Sequence, residues 1–171
     1  AVHSLTTPII NLPATLVNPT LGFTHYVETE AGYDGGNVKI SVNGGAFQLI
    51  PTSAYLFNPY NTTLFTAGDG NTNPMAGQSA FTGGSPGSNN SGRSLIDLTT
   101  FTTGGGTVQF RFDFGKDGCG GVNGWFLDNF DLYHCPPATG APEITWDADP
   151  LAASRATRTL TFSVSAVTAT P

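Results

Sequence analysis

Thr107-Val108-Gln109-Phe110-Arg111-Phe112-Asp113-Phe114 decides the fold of this chain. Side chains alternate between the two faces of a strand. Val108, Phe110, Phe112 and Phe114 therefore share one face, and Gln109, Arg111 and Asp113 the other. That alternation is the pattern of a half-buried strand, not of a helical stripe. The same period recurs upstream. Residues 21–30 set Phe23, His25 and Val27 against Tyr26, Glu28 and Glu30, and residues 37–42 turn Val38, Ile40 and Val42 inward. Asn43-Gly44-Gly45 is a hairpin signal, returning through Phe47, Leu49 and Ile50. Residues 94–98 read as a short strand. Pro8, Pro13 and Pro19 restrict the first twenty residues to edge strands. The expected fold is all-β, an antiparallel β-sandwich.

Composition agrees and narrows the function. Charged residues make up 11% of the chain, against about 25% in an average soluble domain. The 22 glycines and 12 prolines suit short strands joined by tight turns, and the whole reads as extracellular. Six Lys and Arg against twelve Asp and Glu give a net charge of -6, so no basic patch can form and nucleic acid is excluded as a partner. No apolar run is long enough to span a bilayer, so membrane insertion is not expected. The start at Ala1 fits a processed product whose signal peptide is gone. At 171 residues the chain is one domain with an appendage.

Downstream of the deciding strand runs Lys116-Asp117-Gly118-Cys119-Gly120-Gly121-Val122-Asn123-Gly124-Trp125-Phe126-Leu127-Asp128-Asn129-Phe130-Asp131-Leu132-Tyr133-His134-Cys135. Cys119 and Cys135 suit one disulfide in an oxidising compartment, the alternative being two free thiols. A bridge closing so short a loop stabilises by about 3 kcal/mol in the chain-entropy model. After the glycine-rich turn, strand alternation places Phe126, Asp128, Phe130 and Leu132 on one face. An ionised Asp128 among those apolar side chains needs a cation, an arginine or several hydrogen bonds. Residues 51–92 read as a long loop rich in Asn, Gly, Ser and Pro, which is unusual unless functional or pinned by a ligand. The expected organisation is a sandwich over residues 1–135, a Pro-rich linker at 136–142 and a C-terminal extension at 143–171. The extension holds one orphan strand (Leu160, Phe162, Val164), which must pack on the body, begin a second domain or complete a neighbour's sheet.

Several phrases line up in one order: Phe23-Thr24-His25-Tyr26-Val27-Glu28-Thr29-Glu30, Tyr33-Asp34-Gly35-Gly36-Asn37-Val38-Lys39-Ile40-Ser41-Val42-Asn43-Gly44-Gly45, Asn73-Pro74-Met75-Ala76-Gly77-Gln78 with Phe81-Thr82-Gly83, Val108-Gln109-Phe110-Arg111-Phe112, and Gly124-Trp125-Phe126-Leu127-Asp128. Over about residues 20–135 this resembles the MAM-like jelly-roll accessory domains of secreted bacterial proteins, notably those appended to immune-inhibitor-A-type and fungalysin-type metallopeptidases. The resemblance implies a jelly-roll sandwich without catalytic residues that carries a structural calcium. By resemblance, Glu30, Asp34 and Asp128 match the acidic positions, with Glu28 beside them. Asn129 departs from the pattern, where a second Asp is common, and residues 136–171 fall outside it.

The residues support calcium independently. Ca2+ takes six to eight hard oxygens, carboxylates mixed with backbone carbonyls. Glu28, Glu30 and Asp34 cluster at one strand end, and Asp128 stands near a strand start. The alternative for Asp128 is an ion pair with Arg111. Gly83-Gly84-Ser85-Pro86-Gly87 matches the nucleophile-elbow spacing, but no helix follows, so Ser85 is not expected to be catalytic. Asp113, Asp117 and Asp128 offer carboxylates for glycoside chemistry, yet nothing separates them from ordinary loop acids. Asn61 and Asn89 head glycosylation sequons. Tyr33, Phe57 and Tyr60 lie in or beside loops, either to contact a ligand or to pin the loops to the sandwich. The expectation is a secreted or cell-surface, calcium-stabilised, non-catalytic module for binding, adhesion or accessory work, with a carbohydrate or protein surface as partner. The alternative is a fibre subunit that adds its C-terminal strand to neighbouring copies of itself.

Overall fold

A computed structural model describes residues 1–84, 91–120, 123–134, 144–146 and 162–164. Its strands are β1 (Val2–Thr6), β2 (Ile10–Leu12), β3 (Pro19–Glu28), β4 (Gly35–Val42), β5 (Gln48–Leu49), β6 (Tyr55–Phe57), β7 (Thr62–Thr63), β8 (Ser79–Thr82), β9 (Gly92–Asp97), β10 (Gly106–Gly115), β11 (Gly124–His134), β12 (Ile144–Trp146) and β13 (Phe162–Val164). Two antiparallel sheets form a sandwich of jelly-roll type, ordered β1-β10-β4-β8-β7 and β11-β3-β9-β6. The long strands alternate between the sheets as the chain proceeds, β3 in one, β4 in the other, then β9, β10 and β11 in turn. Ala1–Cys135 forms one compact unit and Pro136–Pro171 a second. Among the described residues no helix is long and apolar enough to cross a membrane.

The core is built from the inward residues of the alternating strands. Phe23 and Val27 of β3, Val38 and Ile40 of β4, Ile96 of β9 and Phe110 and Phe112 of β10 are all buried. Phe23 stands edge-on to Phe81 and Phe112 at centroid separations of 6.3 and 5.3 Å, the preferred aromatic arrangement. On the outer side of the first sheet, Asp113 is also buried, because neighbouring strands cover it. Lys39 donates to it at 2.7 Å, Ser4 at 2.6 Å and Arg111 at 3.1 Å. Burial alone would push the Asp113 carboxyl up, but these donors hold it below the ordinary carboxylate range.

Three expectations are corrected. The stretch at 51–92 is not one irregular loop. It contains β6, β7, β8 and two short 3-10 turns, and its own side chains pin it. Asn71 donates to the carbonyls of Tyr33 and Phe65, and Asn73 donates to that of Tyr33. Tyr60 Oη accepts from Val38 N–H at 3.0 Å and donates to the Val38 carbonyl at 3.2 Å. Next, Phe126 and Asp128 face solvent, while Trp125 and Leu127 pack on the core. A bulge between Asp128 and Asp131, with Asn129 at φ 49°, then shifts the strand's phase, so that Leu132 packs inward. Finally, the strand in the extension is not an orphan, since β13 pairs antiparallel with β12.

His25 fills the sandwich end at 3% exposure. Trp125 donates its indole N–H to His25 Nδ1 at 3.2 Å, and Nε2 lies 3.0 Å from Ser94 Oγ. An indole can only donate, so Nδ1 accepts and the imidazole is neutral with its proton on Nε2. Burial lowers its pKa to about 4. The sign follows directly: the unfolded chain takes up this proton below about 6.5 and the folded one only near 4, so stability is lost as pH falls through that window. We expect chemical denaturation to show this loss, on the order of 3 kcal/mol from His25, and His25→Asn to flatten the slope. An unchanged slope in the variant would refute it. Tyr60→Phe strands the Val38 amide and is expected to cost about 1–3 kcal/mol, read as a lower urea midpoint at unchanged m-value.

Candidate metal centre

The turn from β3 to β4 carries Glu30 and Asp34. It closes when the Tyr33 and Asp34 amides both donate to the Glu30 carbonyl, at 3.2 and 3.0 Å. Beneath it, Thr29 Oγ1 and Thr82 Oγ1 donate to the Asp34 carbonyl, at 2.9 and 2.5 Å. The carbonyls of this turn are thus engaged by protein donors, and the carboxylates are left for other partners.

Asp117 arrives from a different part of the chain. The antiparallel register of β4 and β10 pairs Gly35 with Gly115, so the turn before β4 and the turn after β10 lie side by side. The Asp117 amide donates to Asp34 Oδ1 at 2.7 Å, and Asp117 Oδ1 in turn accepts from the Cys119 amide at 2.9 Å. One carboxylate oxygen from each of Glu30, Asp34 and Asp117 lies within 4.8 Å of the other two. Gly120 lies close against this site: its φ of 63° favours glycine, and a Cβ there would meet the Glu30 carboxylate, which would have to move. Asp34 is 2% exposed, and Glu30 Oε2 is buried without a hydrogen-bond partner among the described residues. Burial pushes the Asp34 carboxyl up. The Asp117 amide lowers it, the Asp117 charge raises it further, and the charges of Lys116 and the N-terminus pull it back only in part.

These three carboxylates could together hold a hard divalent cation such as calcium. All three donors are hard oxygens, and two oxygens bound at about 2.4 Å to one ion can stand at most about 4.8 Å apart. Glu30, Asp34 and Asp117 would hold the ion, which would supply positive charge to a buried carboxylate that the protein only partly compensates.

The other expected residues are placed as follows. Glu28 is outside the three-carboxylate cluster but lines an adjoining cavity of about 150 Å3 with Asp34, Lys116 and Asn123. It accepts from Tyr26 Oη and Asn123 Nδ2, both at 2.6 Å, and these bonds lower its pKa. Asp128 is exposed and accepts from the Asn129 amide at 2.7 Å. It sits four residues along β11 from Gly124, the partner of Glu28, hence roughly 13 Å away along the strand. Arg111 pairs with Asp113 rather than with Asp128. Cys119 is exposed and free, and Cys135 lies outside the described residues, as do Ser85 and Asn89. The Asn61 amide makes a two-point pair with the Thr82 backbone, at 2.9 and 3.0 Å, which a glycan on its nitrogen would disrupt. Tyr60 is buried and Tyr33 packs edge-on to Phe65, whereas Phe57 is 61% exposed. Asp117 was the member sequence reasoning missed. Its signal was the Asp-Gly pair ending the clearest strand, which becomes informative once that strand is paired with the one after Asp34.

No family model, no curated protein and no solved structure matches the chain. Asp34→Asn removes the charge while keeping an oxygen for the Asp117 amide. We expect the variant to melt at or above the parent temperature in chelator and below it in excess calcium. A variant that melts below the parent in both buffers would assign Asp34 a purely structural role.

Proposed function

We propose that this chain is a non-catalytic extracellular module for binding, adhesion or accessory work, stabilised by calcium at Glu30, Asp34 and Asp117. The observation that carries the reading is the meeting of three carboxylates from two separate turns around a buried, unpartnered oxygen. The resemblance to MAM-like accessory domains points the same way, since a calcium-holding sandwich without catalytic residues is what that family implies. Here Asp117, not Asp128, completes the acidic set. Its work falls to an exposed surface, with carbohydrate or protein as partner. The second reading, a fibre subunit assembled by strand addition through the C-terminal strand, is less favoured because β13 has a partner in β12.

The test is a thermal melt with and without EGTA. At a calcium concentration a hundred times its Kd, binding adds about 2.7 kcal/mol, so chelation should lower the melting temperature by several degrees. Asp117→Asn should abolish most of that difference. A melting temperature indifferent to EGTA would remove calcium from the proposal.

A further inference from the structure

We infer that the outer face of the β11-β3-β9-β6 sheet carries a cleft for a neutral oligosaccharide, framed by Phe57 on one side and Tyr26 with Phe126 on the other. This names the ligand class of the binding module proposed above and rests on that reading.

Strand parity builds the cleft. With His25 and Val27 buried, Tyr26 of β3 points outward, and with Trp125 and Leu127 packed on the core, Phe126 of β11 does the same. Their rings lie 6.1 Å apart. The register of β6 shifts between Tyr55 and Phe57, bringing Phe57 opposite Leu95, which sits between the buried Ser94 and Ile96 and so faces outward. β6 ends there, and Asn58, at φ 47°, is held to β9 by its carbonyl, which accepts from Ser94 Oγ at 2.8 Å. Here lies a cavity of about 990 Å3 whose walls include Tyr26, Phe57, Asn58 and Ser91. At Gly92 a Cβ would meet nothing within 4 Å, so the floor is open there. Tyr26 is shared with a second cavity of about 320 Å3 that Phe126 and Asp128 line, and the two form a run across the sheet.

The chemistry selects the ligand. Phe57 and Phe126 are 61% and 56% exposed, large rings with no part in the buried core. Exposed ring faces beside hydroxyl and amide groups suit a sugar, whose C–H face stacks on aromatics while its hydroxyls exchange hydrogen bonds. No carboxylate lines the larger cavity, and Arg93, the one charged residue in its lining, is already paired with Asp131 at 2.7 Å, so a neutral ligand needs no counter-charge there. A run of two cavities suits several sugar units in a row.

The test is titration calorimetry of the full chain, in calcium, with β-1,4-linked hexamers of glucose, xylose, mannose and N-acetylglucosamine. At least one should bind. Phe57→Ala and Phe126→Ala should each weaken it roughly tenfold with little change in melting temperature, because both rings are largely exposed. Phe57→Leu keeps apolar bulk without a ring face and should weaken binding likewise, which guards against a folding artefact. No binding by any of the four sugars, or binding indifferent to all three substitutions, overturns the cleft, as does a preference for unstructured peptide over every sugar. Repeating the titration in EGTA separates the two proposals. Sugar binding by a protein whose melt ignores chelation keeps the cleft and removes calcium, and a calcium-dependent melt without sugar binding does the reverse.

Discussion

The antiparallel pairing of β10 with β4 is the constraint on which the rest depends. Its eight residue pairs, from Val108 with Val42 to Gly115 with Gly35, set Phe110 and Phe112 beside Ile40 and Val38 at the centre of the core. The same register fixes which turns meet at the end of the sheet, and so brings Asp117 to Asp34. A one-residue slip would turn every apolar side chain of β10 out of the core. The core therefore enforces the geometry of the acidic centre without contributing an atom to it. Gly36 shows how tight this end is: a Cβ there would run into the Trp125 ring, the same ring whose N–H orients His25.

A second layer of order comes from side chains that bond main chain. Residues 51–84 have little strand pairing of their own, yet Tyr60, Asn71, Asn73 and Thr82 tie them to the rest of the sandwich through backbone groups of Gly32, Tyr33 and Val38. Three of these fix the Gly32 and Tyr33 carbonyls or the Gly32 amide, on the floor of the turn that carries Glu30 and Asp34. The long segment thus acts as a brace for that turn. The Asn71 and Asn73 amides meet backbone carbonyls, which is how a segment without regular ladders satisfies buried polar groups.

What was legible in the sequence follows from which forces leave a periodic trace. β3, β4 and β10 bury one face each, and their alternation showed the fold class, the inward residues and the position of Glu30 and Asp34 at a strand end. β11 misled, because the alternation of Phe126, Asp128, Phe130 and Leu132 is read correctly only with the bulge at Asn129 in place, and Asn129 carries no signal beyond a residue type tolerant of positive φ. Asp128 was therefore expected on an apolar face, where it would have needed a cation, and it stands in water, where it needs none. The brace over 51–84 was invisible for a different reason: hydrogen bonds from asparagine to distant carbonyls have no period.

The scarcity of cations is what motivates the proposal of an outside ion at the acidic centre. Six basic side chains serve twelve acidic ones in the whole sequence. Among the described residues, Lys39 and Arg111 are committed to Asp113, and Arg93 to Asp131. Asp113 is the instructive contrast. It is as buried as Asp34, yet two basic side chains and a hydroxyl hold its pKa down, while Asp34, with Lys116 and the N-terminus acting on it only through their charges, is pushed up. The protein thus solves the same desolvation problem fully on the face of its central sheet and only partly at the sheet's end. A buried carboxylate left short of positive charge, with two more carboxylates beside it, is costly in an empty site and favourable around a divalent cation. That asymmetry is the physical ground for reading Glu30, Asp34 and Asp117 as ligands and Asp113 as structure.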